Sequence, residues 1–388
     1  MRNYCFGCID LRNTIIVLLL TLIFNSCKTT RQPGNNSIGT LKLVGQYTIP
    51  YNISFNNTTV GGLSGIDYNP ATGEYYMICD DRSAINPARF YTAKLWFNNT
   101  SFDSVSITNV TTLRMPNGSA YPDSKTNPAL TPDPEAMRYN PVKKCLVWSS
   151  EGERIVTPQD TVITNPGIYE ISLAGEYIDS FALPRQFLMQ ATENGPRRNG
   201  VFEGLGFSGN YKHMFVSLEE PRYEDGPRAE VTDGPAFTRI IKYNAQTRQP
   251  IAQYAYKLEP VATPATPANA FKVNGISDIL PLSDHRLLTI ERSFSTGTRE
   301  CTIKVFLADL ENATDISNVN SLSQDTHFKP ATKKLLYNFT ALNRYIDNIE
   351  GVTFGPVLPN GHKSLVFVAD NNFSDKEESQ FFVFELVP

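Results

Sequence analysis

The sequence predicts an all-β chain folded as a β-propeller of five four-stranded blades. A five-residue segment recurs five times at near-even spacing, each copy opens a hairpin that exits at a charged cluster, and no long stretch carries a helical period. The copies are Ser64-Gly65-Ile66-Asp67-Tyr68, Glu135-Ala136-Met137-Arg138-Tyr139, Glu203-Gly204-Leu205-Gly206-Phe207, Ser277-Asp278-Ile279-Leu280-Pro281 and Glu350-Gly351-Val352-Thr353-Phe354. Each runs Ser or Glu, a small residue, a large apolar residue, any residue, then an aromatic or apolar one. Their leading residues lie 71, 68, 74 and 73 positions apart. Such a period marks a repeated supersecondary unit.

The leader comes first. Arg2 and Arg12 flank a basic start, residues 15–24 form an apolar run too short to span a bilayer as a helix, and Ser26-Cys27 precedes a polar stretch. Residues 1–27 are therefore expected to be an export signal with lipoprotein-type cleavage before Cys27, which becomes the lipidated first mature residue. Ordinary cleavage, giving a secreted or periplasmic soluble protein, is the first alternative, and an uncleaved anchor the second. Residues 28–40 are a linker, and the domain is expected to span residues 41–388.

Within each unit the leading strand turns back at residues 69–73, 140–144, 208–212, 283–286 and 358–362, where Asn, Pro, Gly and Ser cluster. Exits follow at Asp80-Asp81-Arg82, Glu151-Gly152-Glu153-Arg154, Glu219-Glu220-Pro221-Arg222, Glu291-Arg292 and Asp370-Asn371. A second strand pair comes next at residues 88–96 and 104–113, 167–172 and 177–183, 238–243 and 251–258, and 301–308 and 334–339. The fifth unit has one such strand, at residues 381–387, and residues 41–49 are expected to supply its partner and close the ring. The irregular stretches 116–132, 187–199 and 262–274 each precede a leading segment and are expected to arch over the functional end. A strand hidden in one of them would make the blades six.

The composition is globular, with 41% hydrophobic and 19% charged residues, and the net charge of −4 gives no reason to expect nucleic acid or an anionic lipid surface as partner. Membrane contact is expected only through the lipid. Cys79, Cys145 and Cys301 are an odd count with no close pair, neither a disulfide framework nor a zinc spacing. Trp96 and Trp148 read as packing.

An antiparallel hairpin returns to its start, so leading residues and exit acids share one end. Glu135, Glu203 and Glu350 would then converge at the channel mouth, with Ser64 and Ser277 completing the ring. Carboxylates brought together raise one another's pKa unless a cation neutralises them, and an all-oxygen donor set favours Ca²⁺ before Mg²⁺. The expected ligands are Glu135, Glu203, Glu350, Asp80, Asp81, Glu151, Glu219 and Asp370. Catalytic roles fall to Glu135, Glu203, Glu350 and Glu291; substrate binding falls to Arg82, Arg154, Arg222 and Arg292, whose planar forks suit phosphate, and to Ser64 and Ser277. The same acids could instead satisfy backbone N–H groups or pair with the arginines, in a non-catalytic propeller with a structural ion. Three of the four His lie in or beside the far turns, and Gly62-Leu63-Ser64-Gly65 lacks the spacing of a nucleophile elbow, so nucleophilic catalysis has little support.

At Gly62-Leu63-Ser64-Gly65-Ile66, Asp133-Pro134-Glu135-Ala136, Phe202-Glu203-Gly204-Leu205, Gly275-Ile276-Ser277-Asp278, Glu291-Arg292-Ser293-Phe294 and Ile349-Glu350-Gly351-Val352 the chain resembles the family described as having esterase-like activity of phytase. The resemblance covers about residues 41–386. It implies a propeller-type domain and hydrolysis of phosphate or other esters; the rim of acids with arginines between them is itself what hydrolysis of a small anionic ester substrate would need.

Overall fold

Alternating apolar and polar residues punctuated by Asn, Gly and Pro give 24 strands and almost no helix among the described residues. The computed structural model describes Met1 and residues 38–388; the leader, Cys27 and most of the linker lie outside the described residues. Strand β1 (Thr40–Ile49) is followed by a small hairpin, β2 (Ser54–Phe55) and β3 (Thr58–Thr59). Blade 1 comprises β4 (Leu63–Asn69), β5 (Glu74–Cys79), β6 (Arg89–Phe97) and β7 (Phe102–Thr112). Blade 2 has β8 (Pro134–Asn140) and β9 (Cys145–Ser150), then an inserted hairpin, β10 (Glu153–Val156) and β11 (Thr161–Thr164), then β12 (Gly167–Ile171) and β13 (Tyr177–Ser180). Blade 3 comprises β14 (Phe202–Phe207), β15 (His213–Leu218), β16 (Phe237–Asn244) and β17 (Gln249–Lys257). Blade 4 comprises β18 (Lys272–Pro281), β19 (Arg286–Ser295), β20 (Thr302–Asp309) and β21 (Thr332–Asn338). Blade 5 has β22 (Asn348–Phe354), β23 (Lys363–Asp370) and β24 (Ser379–Val387), completed by β1.

The inner strands touch in a closed cycle, β4 to β8 to β14 to β18 to β22 and back to β4, so the propeller has five blades. Residues 116–132 and 187–199 hold no strand, and residues 262–274 give only the first residues of β18, which removes the six-blade alternative. The ring closes where β1 pairs antiparallel with β24, from Thr40 opposite Val387 to Ile49 opposite Ser379. The two extra hairpins, β2–β3 and β10–β11, are additions to the expected plan.

Apolar faces of neighbouring blades pack on one another to form the core. Met77, Tyr91, Val366 and Val383 fill the space between blades 1 and 5, and Val147, Leu205, Val216 and Tyr243 that between blades 2 and 3. Between blades 4 and 5 the buried Phe339 meets Phe367, Phe382 and Phe384 with its ring tilted steeply against theirs. Trp148 is buried as expected, whereas Trp96 is 46% exposed.

Every inner strand carries a β-bulge at its leading residue. The register slips at Ser64, across Glu135 and Ala136, and at Glu203, Ser277 and Glu350. A bulge leaves one residue out of the ladder and re-aims its side chain. The small residue that follows has a steric cause, because inner strands approach closely here. A Cβ on Gly65 would stand 2.9 Å from the Glu135 carbonyl oxygen, and one on Gly204 2.8 Å from the Ile279 nitrogen.

Blade 4 has Asp278 at that small position, and it reaches across the channel to Arg138 of blade 2. Arg138 Nη2 donates to both Asp278 oxygens, at 2.7 and 2.6 Å, and Nη1 donates to the Ile66 carbonyl. The Val352 N–H donates to Asp278 as well. This buried bridge ties blades 1, 2, 4 and 5 together and separates an acidic mouth, where inner strands begin, from a turn-side mouth, where they end.

Candidate functional site

The acidic mouth is a cavity of about 390 Å³ lined by ten carboxyl side chains and four arginines. Glu135, Glu203 and Glu350, thrown inward by their bulges, all reach it, with Asp80, Glu151 and Glu219 from the hairpin exits and Asp133 just ahead of β8. One oxygen from each of Asp133, Glu135 and Glu151 lies within 4.8 Å of the others. Glu135 and Glu203 are only 9% and 7% exposed, yet neither side chain accepts a hydrogen bond from any described residue.

Burial, followed by mutual repulsion, raises the carboxyls together. Glu135, Glu151 and Glu203 stand well above the ordinary range. Burial together with Glu350 and Asp133 pushes Asp80 up to about 8, and burial pushes Glu350 up to about 8 against the opposing pull of Arg292. Burial brings Glu220 to about 7 and Asp133 to about 6. Asp370 stands behind Asp80, raised chiefly by burial and then by the Asp80 charge. Asp80 Oδ1 and Asp370 Oδ2 are buried with no donor among the described residues. An all-oxygen set of this density fits a hard divalent cation, which would supply the missing positive charge.

The arginines divide. Arg292 reaches the cavity, held by Glu219 at 2.6 Å and by the Asn348 side chain at 2.8 Å. Arg82 stands behind the wall, bonded to Glu153 at 2.6 Å and close to Asp133. Arg154 and Arg222 do not reach it, contrary to the sequence expectation. Arg154 donates to the Gln190 and Ala191 carbonyls, and the fully buried Arg222 pairs with Asp225 and braces the Gln186 and Asn320 carbonyls.

Four further expectations are corrected by contacts. Ser64 donates to the Glu135 carbonyl and Ser277 to the Ile349 carbonyl, so these short side chains staple adjacent bulges and do not line the cavity. Glu291 lies inside blade 4, accepting from Tyr256, the Glu259 N–H and Asn274. Asp81 caps the loop after β5 through the Ala84, Ile85 and Asn86 N–H groups and pairs with Arg89, so it is neither a free ligand nor at the cavity.

Residues not anticipated for the site complete it. Arg198 comes from the stretch 187–199 and Phe271 from 262–274, so two of the three irregular stretches do arch over this mouth. Arg228, Arg299, Phe294, Asp347 and Asn348 also line it.

No curated protein matches the sequence. Among solved structures, the chain is similar to an exo-β-1,3-galactanase from Phanerochaete chrysosporium at 11% identity, covering 88% of this chain and 64% of that one with a TM-score of 0.43. It is similar to the gluconolactonase XC5397 from Xanthomonas campestris at 9% identity, covering 88% and 89% with a TM-score of 0.38. It is also similar to the Dos1 propeller at 6% identity, covering 85% and 70% with a TM-score of 0.34. The family model for esterase-like activity of phytase matches residues 58–373, a span that takes in all five leading residues and every exit acid. The chain belongs to that phytase-like family.

Proposed function

We propose that the acidic mouth hydrolyses small phosphoesters in a reaction that depends on a bound divalent cation, Ca²⁺ before Mg²⁺. The supporting observation is that Glu135 and Glu203 are buried, face the cavity and have no donor among the described residues, amid carboxyls that outnumber arginines ten to four. An anionic ester entering such a field is repelled unless cations balance it. Asp133, Glu135 and Glu151 would hold the cation, with Glu203, Glu350, Glu219 and the Asp80–Asp370 pair near enough to tune it or hold another. When bound, such an ion activates water and neutralises phosphoryl charge.

The chain's own groups do the rest. Arg292, fixed by two partners, presents a guanidinium edge to a phosphoryl oxygen. Arg198 and Arg228 draw the anion in at the rim. Glu203 accepts a proton from the attacking water, and Glu350, oriented by Asn348 at 2.7 Å, returns one to the leaving oxygen. Phe271 and Phe294 offer an apolar wall to the organic part.

A non-catalytic propeller with a structural ion is the second reading. It is favoured by the pairing of Arg292 and Arg228 with the wall carboxylates Glu219 and Glu220, and of Arg198 with Glu153 behind the wall. Turnover of aryl phosphates and aryl carboxylate esters, measured before and after chelation, separates the two. Activity should vanish with the metal, return with Ca²⁺, and fall by about a hundredfold or more in Glu203→Gln. Absence of any turnover, with a lower melting temperature after chelation, would leave the structural ion standing.

Export and lipid anchoring through Cys27 belong to the same proposal. Cys27→Ser should move the protein from the membrane to the soluble fraction, and an unchanged distribution would refute the anchor.

A further inference from the structure

The fifth residue of each repeated segment is not used by the acidic mouth. Four residues along a strand from the leading residue, about 13 Å at the usual rise, these side chains gather at the turn-side mouth. Tyr68, Tyr139, Phe207, Pro281 and Phe354 line one cavity of about 470 Å³, joined by Tyr211 from the turn after β14. That volume lies in the range of small-molecule sites. One aromatic or proline from each blade thus encircles the channel axis, on the far side of the Arg138–Asp278 bridge.

Tyr211 holds φ at +56°, a conformation bulky residues rarely adopt, and its ring lies 5.7 Å from that of Phe207. The floor is polar. Asp67 accepts from the Tyr139 N–H at 2.7 Å and from Thr353 Oγ1 at 2.6 Å. The hydroxyls of Tyr68, Tyr139 and Tyr211 enter no hydrogen bond among the described residues, leaving three groups that can both donate and accept.

Charge narrows the choice of ligand. The Arg138 guanidinium is matched by Asp278 at 2.6 Å, and burial moves Asp67 towards its neutral form despite its donors and Arg138. An organic cation, which aromatic walls alone would suit, finds no carboxylate at the floor without a partner, since Asp67 already accepts from Tyr139 and Thr353. An anion finds no unpaired cationic group, because the one lining arginine is held by Asp278. A neutral ring with apolar faces and a hydroxylated edge matches both the walls and the free hydroxyls.

We infer that the turn-side mouth is a binding site for a neutral, ring-shaped polyol, a single pyranose unit of a carbohydrate. It lies apart from the acidic mouth and does not depend on the reaction proposed there.

Saturation-transfer NMR and calorimetry with the methyl glycosides of glucose, galactose, mannose and N-acetylglucosamine test this, with choline and benzoate as the charged alternatives. At least one glycoside should bind with a Kd in the millimolar range. Tyr211→Ala and Phe207→Ala should weaken it by about tenfold or more, while phosphoester turnover, where present, stays unchanged in Tyr211→Ala. Tyr211→Phe retains the ring and the turn, so a smaller loss there assigns the hydroxyl's share in a folded protein. The inference is overturned if no glycoside saturates by about 20 mM, if binding survives Tyr211→Ala intact, or if choline or benzoate binds and no glycoside does.

Discussion

Stripped of divalent cations, the protein should melt at progressively lower temperature as the pH is raised from about 4 to about 8, by on the order of 10 °C in all. Asp80 and Glu350 rise to about 8, Glu220 to about 7 and Asp133 to about 6, all chiefly through burial. In that window the native state holds protons that the unfolded chain has released, so raising the pH favours unfolding. The salt-bridged acids with lowered pKa, such as Asp225 and Glu153, have the opposite sign but act below about pH 4.5, outside the window. Ca²⁺ should cancel the effect by replacing protons with a cation. At a hundred times its Kd it contributes about 2.7 kcal/mol, with protons released on binding. Melting curves with Ca²⁺ and with chelator should therefore separate widely at pH 8 and little at pH 5. Coincident curves at pH 8 would remove the cation from the acidic mouth.

Replacing Arg138 by Leu should lower the unfolding free energy by about 3–5 kcal/mol, because it leaves Asp278 buried without its partner. Asp278 keeps only the Val352 and Ile279 N–H donors in that variant. Adding Asp278→Ala to Arg138→Leu should recover a large part of the loss, since the stranded carboxyl goes too. Denaturant titration of the two single variants and the double variant gives the coupling directly. Purely additive losses would mean that the bridge across the channel does not act as a unit.

The five-blade architecture was legible because a period survives in sequence even where identity does not, and because strand alternation and turn residues mark every hairpin. The bulges were not legible, since a register slip depends on the partner strand. Yet it is the bulges that turn Glu135, Glu203 and Glu350 inward. Ser64 and Ser277 occupy the same bulged position with side chains too short to leave the wall, so they bond to the neighbouring carbonyl. Adjacency to an exit acid misled for Arg154 and Arg222, because a residue beyond the strand end has no fixed direction. Arg222 turns to Asp225, three residues on, which it shares with Arg239. Arg198, Arg228 and Arg299 come from segments without a period, and only the position of the stretch 187–199 ahead of a leading segment hinted at the first.

The pairing of Thr40–Ile49 with Ser379–Val387 sets an order on how the protein acquires its shape. Four blades consist of hairpins close in sequence and can condense as they leave the ribosome, but the fifth waits for the last strand to be made. Until then the first strand travels as a bare ribbon edge. Chains stalled or truncated before residue 379 should be unusually sticky, and substitutions along either side of this seam should slow maturation more than they alter the finished molecule.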